Sequence, residues 1–131
     1  MTAILLDTNA VLHLVASPDR VAPTARELIE DPVNELLVSA ASAWEIATKT
    51  RLRRLDGSQL LASWADTLEA MTASDLPIDS KDASLAGQLQ WEHRDPFDRM
   101  IVAQATRRGL TIATSDRAIR AAAMTPVIVT R

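Results

Sequence analysis

The chain contains no cysteine and no tyrosine, a single phenylalanine and only three glycines. Without cysteine there is neither a disulfide framework nor a thiolate-bound metal, which fits a reducing compartment. Three scattered glycines leave no Gly-rich loop to cradle a phosphate and no G-x-S-x-G elbow for a serine nucleophile. With three Trp and one Phe as the whole aromatic stock, a base-stacking platform is poorly supplied. Trp44, Trp64 and Trp91 fall on helical apolar faces and read as core. No long apolar run exists. The opening "MTAILLDTN" lacks a basic stretch and is too short in apolar length for a signal peptide or a span. The expectation is a cytoplasmic protein with no membrane association.

What is present suffices for one domain spanning 1–131. At 47% hydrophobic residues, the chain can bury a core without metal or disulfide staples. The formal net charge of −3 argues against a general nucleic-acid binder, but the charge is uneven. "KTRLRR" (49–54) holds four bases in six residues, and from Trp91 onward seven Arg face four acids. Arg outnumbers Lys twelve to two, and Arg forks suit phosphate recognition.

Strand and helix patterns alternate along the chain. "AILL" (3–6) reads as a buried strand, "AVLHLVA" as a helix stopped near Ser17-Pro18, and 22–31 as a second helix with Pro23 in its first turn. "ELLVSA" (35–40) reads as a strand and 42–52 as a helix. An amphipathic helix is expected over 59–73, an extended piece over 75–79, and a helix capped by Ser80 running to about Glu92. Residues 96–108 form a further helix, with Gly109 as its C-cap. "LTIAT" (110–114) is a strand, "DRAIRAAA" a short helix and "PVIVT" (126–130) the last strand. Such alternation predicts an α/β fold with a parallel sheet covered on both faces. In that architecture, sites form at the C-terminal ends of the strands.

Four acids fall at that edge. Asp7 follows the first strand, Glu45 lies early in the helix after the second, Asp98 opens its helix, and Asp116 follows "LTIATS". Ionised carboxylates brought together repel one another unless a cation intervenes, and clustered oxygens suit Mg²⁺ or Mn²⁺. Each acid also has a purely structural reading. Asp7 makes an Asx turn with Thr8 and Asn9. Glu45 closes a capping box with Ser42 or pairs with Lys49 four residues on. Asp116 caps the helix that follows it. Around Pro96, Asp95 fits the N-cap and Asp98 the third helical position, on the same side as Ile101, Val102 and Ala105. The two histidines, His13 and His93, have no metal spacing and are weaker candidates.

The strings "LLDTNAVL", "VSAASAWEIATK", "HRDPFDRMIVAQA" and "TIATSDRAI", in this order, closely resemble PIN-domain nucleases, and among them the VapC-type toxins of bacterial toxin–antitoxin pairs. The resemblance spans Ile4 to Val129. It implies a three-layer α/β/α fold with a parallel sheet of four to five strands, and a Mg²⁺- or Mn²⁺-dependent endoribonuclease. It places the family's four acids at Asp7, Glu45, Asp98 and Asp116, with Asp7, Asp98 and Asp116 holding metal and Glu45 a second metal or the water network. Thr114 or Ser115 matches the hydroxyl that supports the site, and Asp95 flanks it. Lys49, Arg51, Arg53 and Arg54 then become candidates for holding RNA phosphates. A cognate antitoxin and a homodimer are implied as partners.

Two other carboxylate architectures fit less well. A haloacid-dehalogenase-type phosphatase needs Asp-x-Asp after the first strand, where this chain has Asn9. A receiver-type switch needs a lysine after a late strand, and the only lysines are Lys49 and Lys81. The remaining rival is a PIN-like module that binds RNA or protein without cutting, which has no need to hold four carboxylates together.

Overall fold

A computed structural model describes the whole chain, Met1–Arg131. It runs β1 (Ala3–Leu6), α1 (Thr8–Ala16), a 3-10 turn (Pro18–Arg20), α2 (Pro23–Glu30), β2 (Glu35–Ser39), α3 (Ala40–Arg51), α4 (Ser58–Ala62), α5 (Trp64–Ala70), β3 (Ala73–Leu76), α6 (Ser80–Gln88), α7 (Pro96–Arg108), β4 (Thr111–Thr114), α8 (Arg117–Ala122) and β5 (Val127–Val129). All five strands are parallel, in the order β3-β2-β1-β4-β5. The chain builds outward from β1 to one side, then returns to build β4 and β5 on the other. The strand order therefore reverses between β1 and β4, which is where an open parallel sheet leaves a crevice at its C-terminal edge.

Side-chain alternation along the strands makes two cores. Leu5 and Ile112 face one layer with Met100 and Ile101 of α7, Ala86 of α6 and Ile119 of α8. Ile4 and Leu6 face the other with Val11 of α1 and Ala25 and Ile29 of α2. Ile4, Leu5, Leu6 and Ile112 are fully buried, each contributing about 1.5–3 kcal/mol of transfer free energy. The result is a three-layer α/β/α arrangement. None of the helices is long and apolar enough to cross a membrane.

Several boundaries differ from the sequence expectation, each for a local reason. The helix expected over 59–73 is two helices, broken at Ser63. The Ser63 hydroxyl donates to the carbonyls of Gln59 (3.1 Å) and Leu60 (3.4 Å), competing with the backbone ladder. Thr72, with φ at 55°, then ends α5 and lets β3 begin at Ala73, ahead of the extended piece expected from 75. Helix α6 is capped by Asp79, not Ser80. Asp79 Oδ1 accepts from Asp82 N at 2.8 Å and Asp82 Oδ2 accepts from Asp79 N at 3.2 Å, a reciprocal box. The same helix stops at Gln88 and not near Glu92. Helix α3 starts at Ala40, capped by Ser39, whose hydroxyl oxygen accepts from Ala41 N at 3.0 Å.

Trp44 also departs from the sequence expectation. It is 52% exposed and does not belong to the core. Its ring stands edge-on to buried Phe97, centroids 4.6 Å apart at 76°. Trp64 and Trp91 do pack against the two cores, although Trp91 lies in the loop after α6 and not on a helix. Gly57 is required by close approach: a Cβ there would sit 2.5 Å from Ile46 Cγ2. Gly109, at φ 67°, ends α7 in the left-handed conformation that glycine adopts without strain.

Candidate active site

The crevice between β1 and β4 is built from strand ends and helix starts. Asp7 leaves β1 and is the N-cap of α1, with Oδ1 accepting from Ala10 N at 2.7 Å. Its backbone N–H extends the β1–β4 pairing to Ala113 O at 3.1 Å. The other oxygen, Oδ2, accepts from the Thr114 hydroxyl at the end of β4. That hydroxyl in turn accepts from Asp116 N at 2.9 Å. Thr114 is fully buried and ties the first and last acids together across the sheet. Ser115, the alternative supporting hydroxyl, does not take part in this bridge. Asp116 is the N-cap of α8, its Oδ1 accepting from Ile119 N at 3.0 Å.

Glu45 reaches the crevice from α3. The Ser42–Glu45 capping box does not form, because α3 starts two residues ahead of Ser42. Ser42 instead bonds Thr8 through their hydroxyls at 3.0 Å, fastening α3 to α1. Glu45 is 5% exposed, and its Oε2 accepts from Lys49 Nζ one turn on. The pairing reading of Glu45 is thus realised, and its Oε1 has no protein partner. Lys49 is drawn into the site by this pair, apart from the rest of the basic run. Arg51, Arg53 and Arg54 stay exposed at the C-terminal end of α3 and form no ion pair.

Asp95 and Asp98 divide the start of α7 between them. Asp95 is the N-cap, with Oδ1 accepting from Phe97 N (2.9 Å) and Asp98 N (3.1 Å), and Pro96 occupies the first helical position. Asp98 leaves its carboxylate 17% exposed and bonded to His93 Nε2 at 2.7 Å. His93, a weaker candidate in the sequence for want of metal spacing, is thus brought onto Asp98. Its carboxylate partner lies five positions on, a spacing with no meaning until the loop between them is folded. Replacing Asp95 by Ala should cost about 1 kcal/mol, the usual value for a lost cap, while leaving much of the activity. Thermal melts beside activity assays check this. Loss of activity in a folded Asp95→Ala variant would move the working acid from Asp98 to Asp95.

The electrostatics mark this edge as a place that wants a cation. Burial pushes the Asp7 carboxyl up to about 6, against the lowering by its Thr114 and Ala10 bonds, and the charges of Asp116 and Glu45 add to the rise. Asp98 also rises to about 6, chiefly by burial, with Asp95, Asp116 and Glu45 adding to it while the His93 bond opposes it. The fields of Glu45 and Asp116 therefore reach both Asp7 and Asp98. Neither Asp7 nor Asp116 has a basic side chain within ion-pair distance. His93, Asp95 and Asp98 are the one set of three whose ligand atoms converge within 4.8 Å. Hard carboxylate oxygens short of positive charge are the donor set that Mg²⁺ and Mn²⁺ take.

Comparison with known proteins bears on the same residues. The PIN domain family matches residues 4–124, which include all four acids. The chain is 32% identical over 121 residues to a protein of Mycobacterium tuberculosis named Ribonuclease VapC22, covering 92% of each. Among solved structures it resembles FitAcB from Neisseria gonorrhoeae at a TM-score of 0.63 and 26% identity, covering 96% of both chains. It also shares the fold of VapBC-5 from Mycobacterium tuberculosis, described as a member of the VapBC family of toxin–antitoxin systems, at a TM-score of 0.61 and 22% identity over 98% of both chains. With its five-stranded parallel sheet, its acids at the β1–β4 crevice and a family match over nearly its full length, the chain belongs to the PIN-domain family.

Proposed function

We propose that this protein is a Mg²⁺- or Mn²⁺-dependent endoribonuclease that acts in the cytoplasm as the toxin of a toxin–antitoxin pair. The observation that carries the reading is the crevice itself. Buried Asp7 and half-buried Asp98 both lie under the fields of Glu45 and Asp116, with too few cations to balance them. A module that only binds has no use for such a costly arrangement. The 32% identity to a protein named a ribonuclease supports the substrate class.

The residues divide the work by position. Asp7, Asp98 and Asp116 would hold the metal, and Thr114 fixes the rotation of the Asp7 carboxylate by donating to Oδ2. When bound, the metal supplies a more acidic water and offsets charge developing on the phosphoryl oxygens. Glu45 presents Oε1 to accept a hydrogen bond from the attacking water, while Lys49 donates to Oε2 and holds the carboxylate in place. Water oxygen bonds to phosphorus as the bond to the 3′-oxygen breaks; the water's proton passes to Glu45 and on to solvent, and the leaving 3′-oxygen takes up a proton from solvent. Arg51, Arg53 and Arg54 hold flanking phosphates without reading sequence.

That last role has its own test. Arg53→Ala with Arg54→Ala should weaken RNA binding and lower the slope of log K against log salt by about 1.4, at about 0.7 for each single-strand phosphate no longer neutralised. An unchanged slope would make this run only a solvated helix end. The toxin reading is tested by expression. Wild type alone should arrest growth, a neighbouring small antitoxin should relieve it, and the purified toxin should run as a homodimer. Harmless expression of a well-folded wild type favours the binding-module reading.

A further inference from the structure

We infer that His93 is a positioning residue for Asp98, and that Arg99 is the clamp that keeps it in place. This rests on the metal-dependent centre proposed above and adds to it a residue outside the four acids. His93 lies in the loop between α6 and α7, which has no regular structure of its own. The Arg99 side chain supplies what the loop lacks. Its Nε donates to Ala86 O (3.0 Å), its Nη1 to Trp91 O (2.7 Å) and His93 O (3.0 Å), and its Nη2 to Leu89 O (2.9 Å). One guanidinium thus closes the orphan carbonyls at the end of α6 and folds the loop back onto the start of α7. The planar fork makes this possible, because it aims several donors at fixed angles.

The consequence falls on the neighbouring residue. Asp98 and Arg99 are adjacent in the first turns of α7, so the clamp and the acid move as one body. The clamp holds the His93 backbone, the Trp91 ring packs 4.8 Å from the imidazole, and Nε2 arrives 2.7 Å from Asp98 Oδ2. An ionised carboxylate only accepts, so the ring donates from Nε2. With Oδ2 held, the carboxylate loses its rotational freedom and Oδ1 is left for a cation. Groups that orient a ligand in this way typically govern metal affinity by 10–100-fold.

The test is Mn²⁺ binding by calorimetry on the full chain, with Asp98→Asn as the control. Gln places an amide nitrogen close to the position of Nε2, whereas Asn reaches only that of Nδ1. His93→Ala and His93→Asn should weaken Mn²⁺ binding about 10-fold or more, and His93→Gln should restore most of it. His93→Ala keeps every backbone bond to Arg99, so the fold should survive. Arg99→Lys should weaken Mn²⁺ by a similar factor, and the double variant His93→Ala, Arg99→Lys should be no weaker than the worse single one. Wild-type affinity in His93→Ala, or equal rescue by Asn and Gln, would overturn the positioning role. So would nitrogen coupling in the Mn²⁺ spin-echo spectrum of the wild type, which would make His93 a direct ligand. If Asp98→Asn itself binds Mn²⁺ like the wild type, the proposed centre falls and this role with it. Loss in Asp98→Asn with none in His93→Ala removes the positioning role alone.

Discussion

Asp98→Asn should fold as the wild type does and cleave no RNA. The substitution preserves shape and the first-turn position, and the helix cap is untouched because Asp95 supplies it. It removes one negative charge from a carboxylate that burial has already driven up to about 6, so the metal-free protein loses little and gains relief from repulsion. What it removes is the ionised oxygen that the proposed cation needs. Activity should fall by at least about 100-fold, as when other enzymes lose a group stabilising the transition state. Mn²⁺ should no longer raise the melting temperature. In the wild type, Mn²⁺ at 100 times its dissociation constant should add about 2.7 kcal/mol. A variant that still cuts, or still gains stability from Mn²⁺, would remove Asp98 from the centre.

The second large effect is a stability gain. Asp7→Asn should make the metal-free protein more stable at pH 7 while abolishing cleavage. Asp7 is 4% exposed and its folded carboxyl titrates near 6, against 3.8 for an ordinary aspartate. A rise of that size corresponds to roughly 3 kcal/mol of cost when the group is ionised. Asn still accepts from Ala10 N but gives up the bond from the Thr114 hydroxyl, a loss of about 1 kcal/mol. The net gain is about 2 kcal/mol, or several degrees in Tm.

The sign follows from proton counts. Between about pH 4 and 6 the folded chain keeps protons on Asp7 and Asp98 that the unfolded chain has released. Metal-free stability therefore falls as pH rises through that window and is level above it. Asp82 acts in the opposite sense. Arg107 and Arg108 hold its buried carboxyl well below the usual range, so the stability it contributes is present above about pH 4 and lost on further acidification. The metal-free wild type should be most stable near pH 4–5, and Asp7→Asn should flatten the decline above it. A wild-type stability that rises from pH 5 to 7 without metal would contradict the buried, cation-seeking state of Asp7.

The parts of this molecule that could be read from sequence are those that local pattern encodes. Strand β1 is a run of four apolar residues stopped by Asp-Thr-Asn, and α7 is framed by Pro96 and Gly109. The positions of Asp7 and Asp116 at strand ends follow once the sheet is taken as parallel. What could not be read depends on bonds without a side-chain pattern. Arg99 spends its donors on backbone carbonyls, which leave no mark on residue identity. Through it, His93 reaches Asp98 from a loop with no periodicity. Ser63 breaks a helix that its apolar spacing continues, because its hydroxyl competes for the carbonyls of Gln59 and Leu60. Trp44 sits on an apolar-looking face of α3 yet stays half exposed, its ring resting edge-on against Phe97 of α7.

The carboxylates at the β1–β4 crevice, as proposed above, should make the protein a metal-dependent ribonuclease. The most direct measurement is cleavage of a defined single-stranded RNA by the purified chain, with Mg²⁺ or Mn²⁺ and with EDTA, beside Asp98→Asn prepared identically. Cleavage that needs the divalent ion, stops in EDTA and is absent from the folded variant is the expected result. Cleavage that survives EDTA, or that Asp98→Asn performs at the wild-type rate, would contradict it.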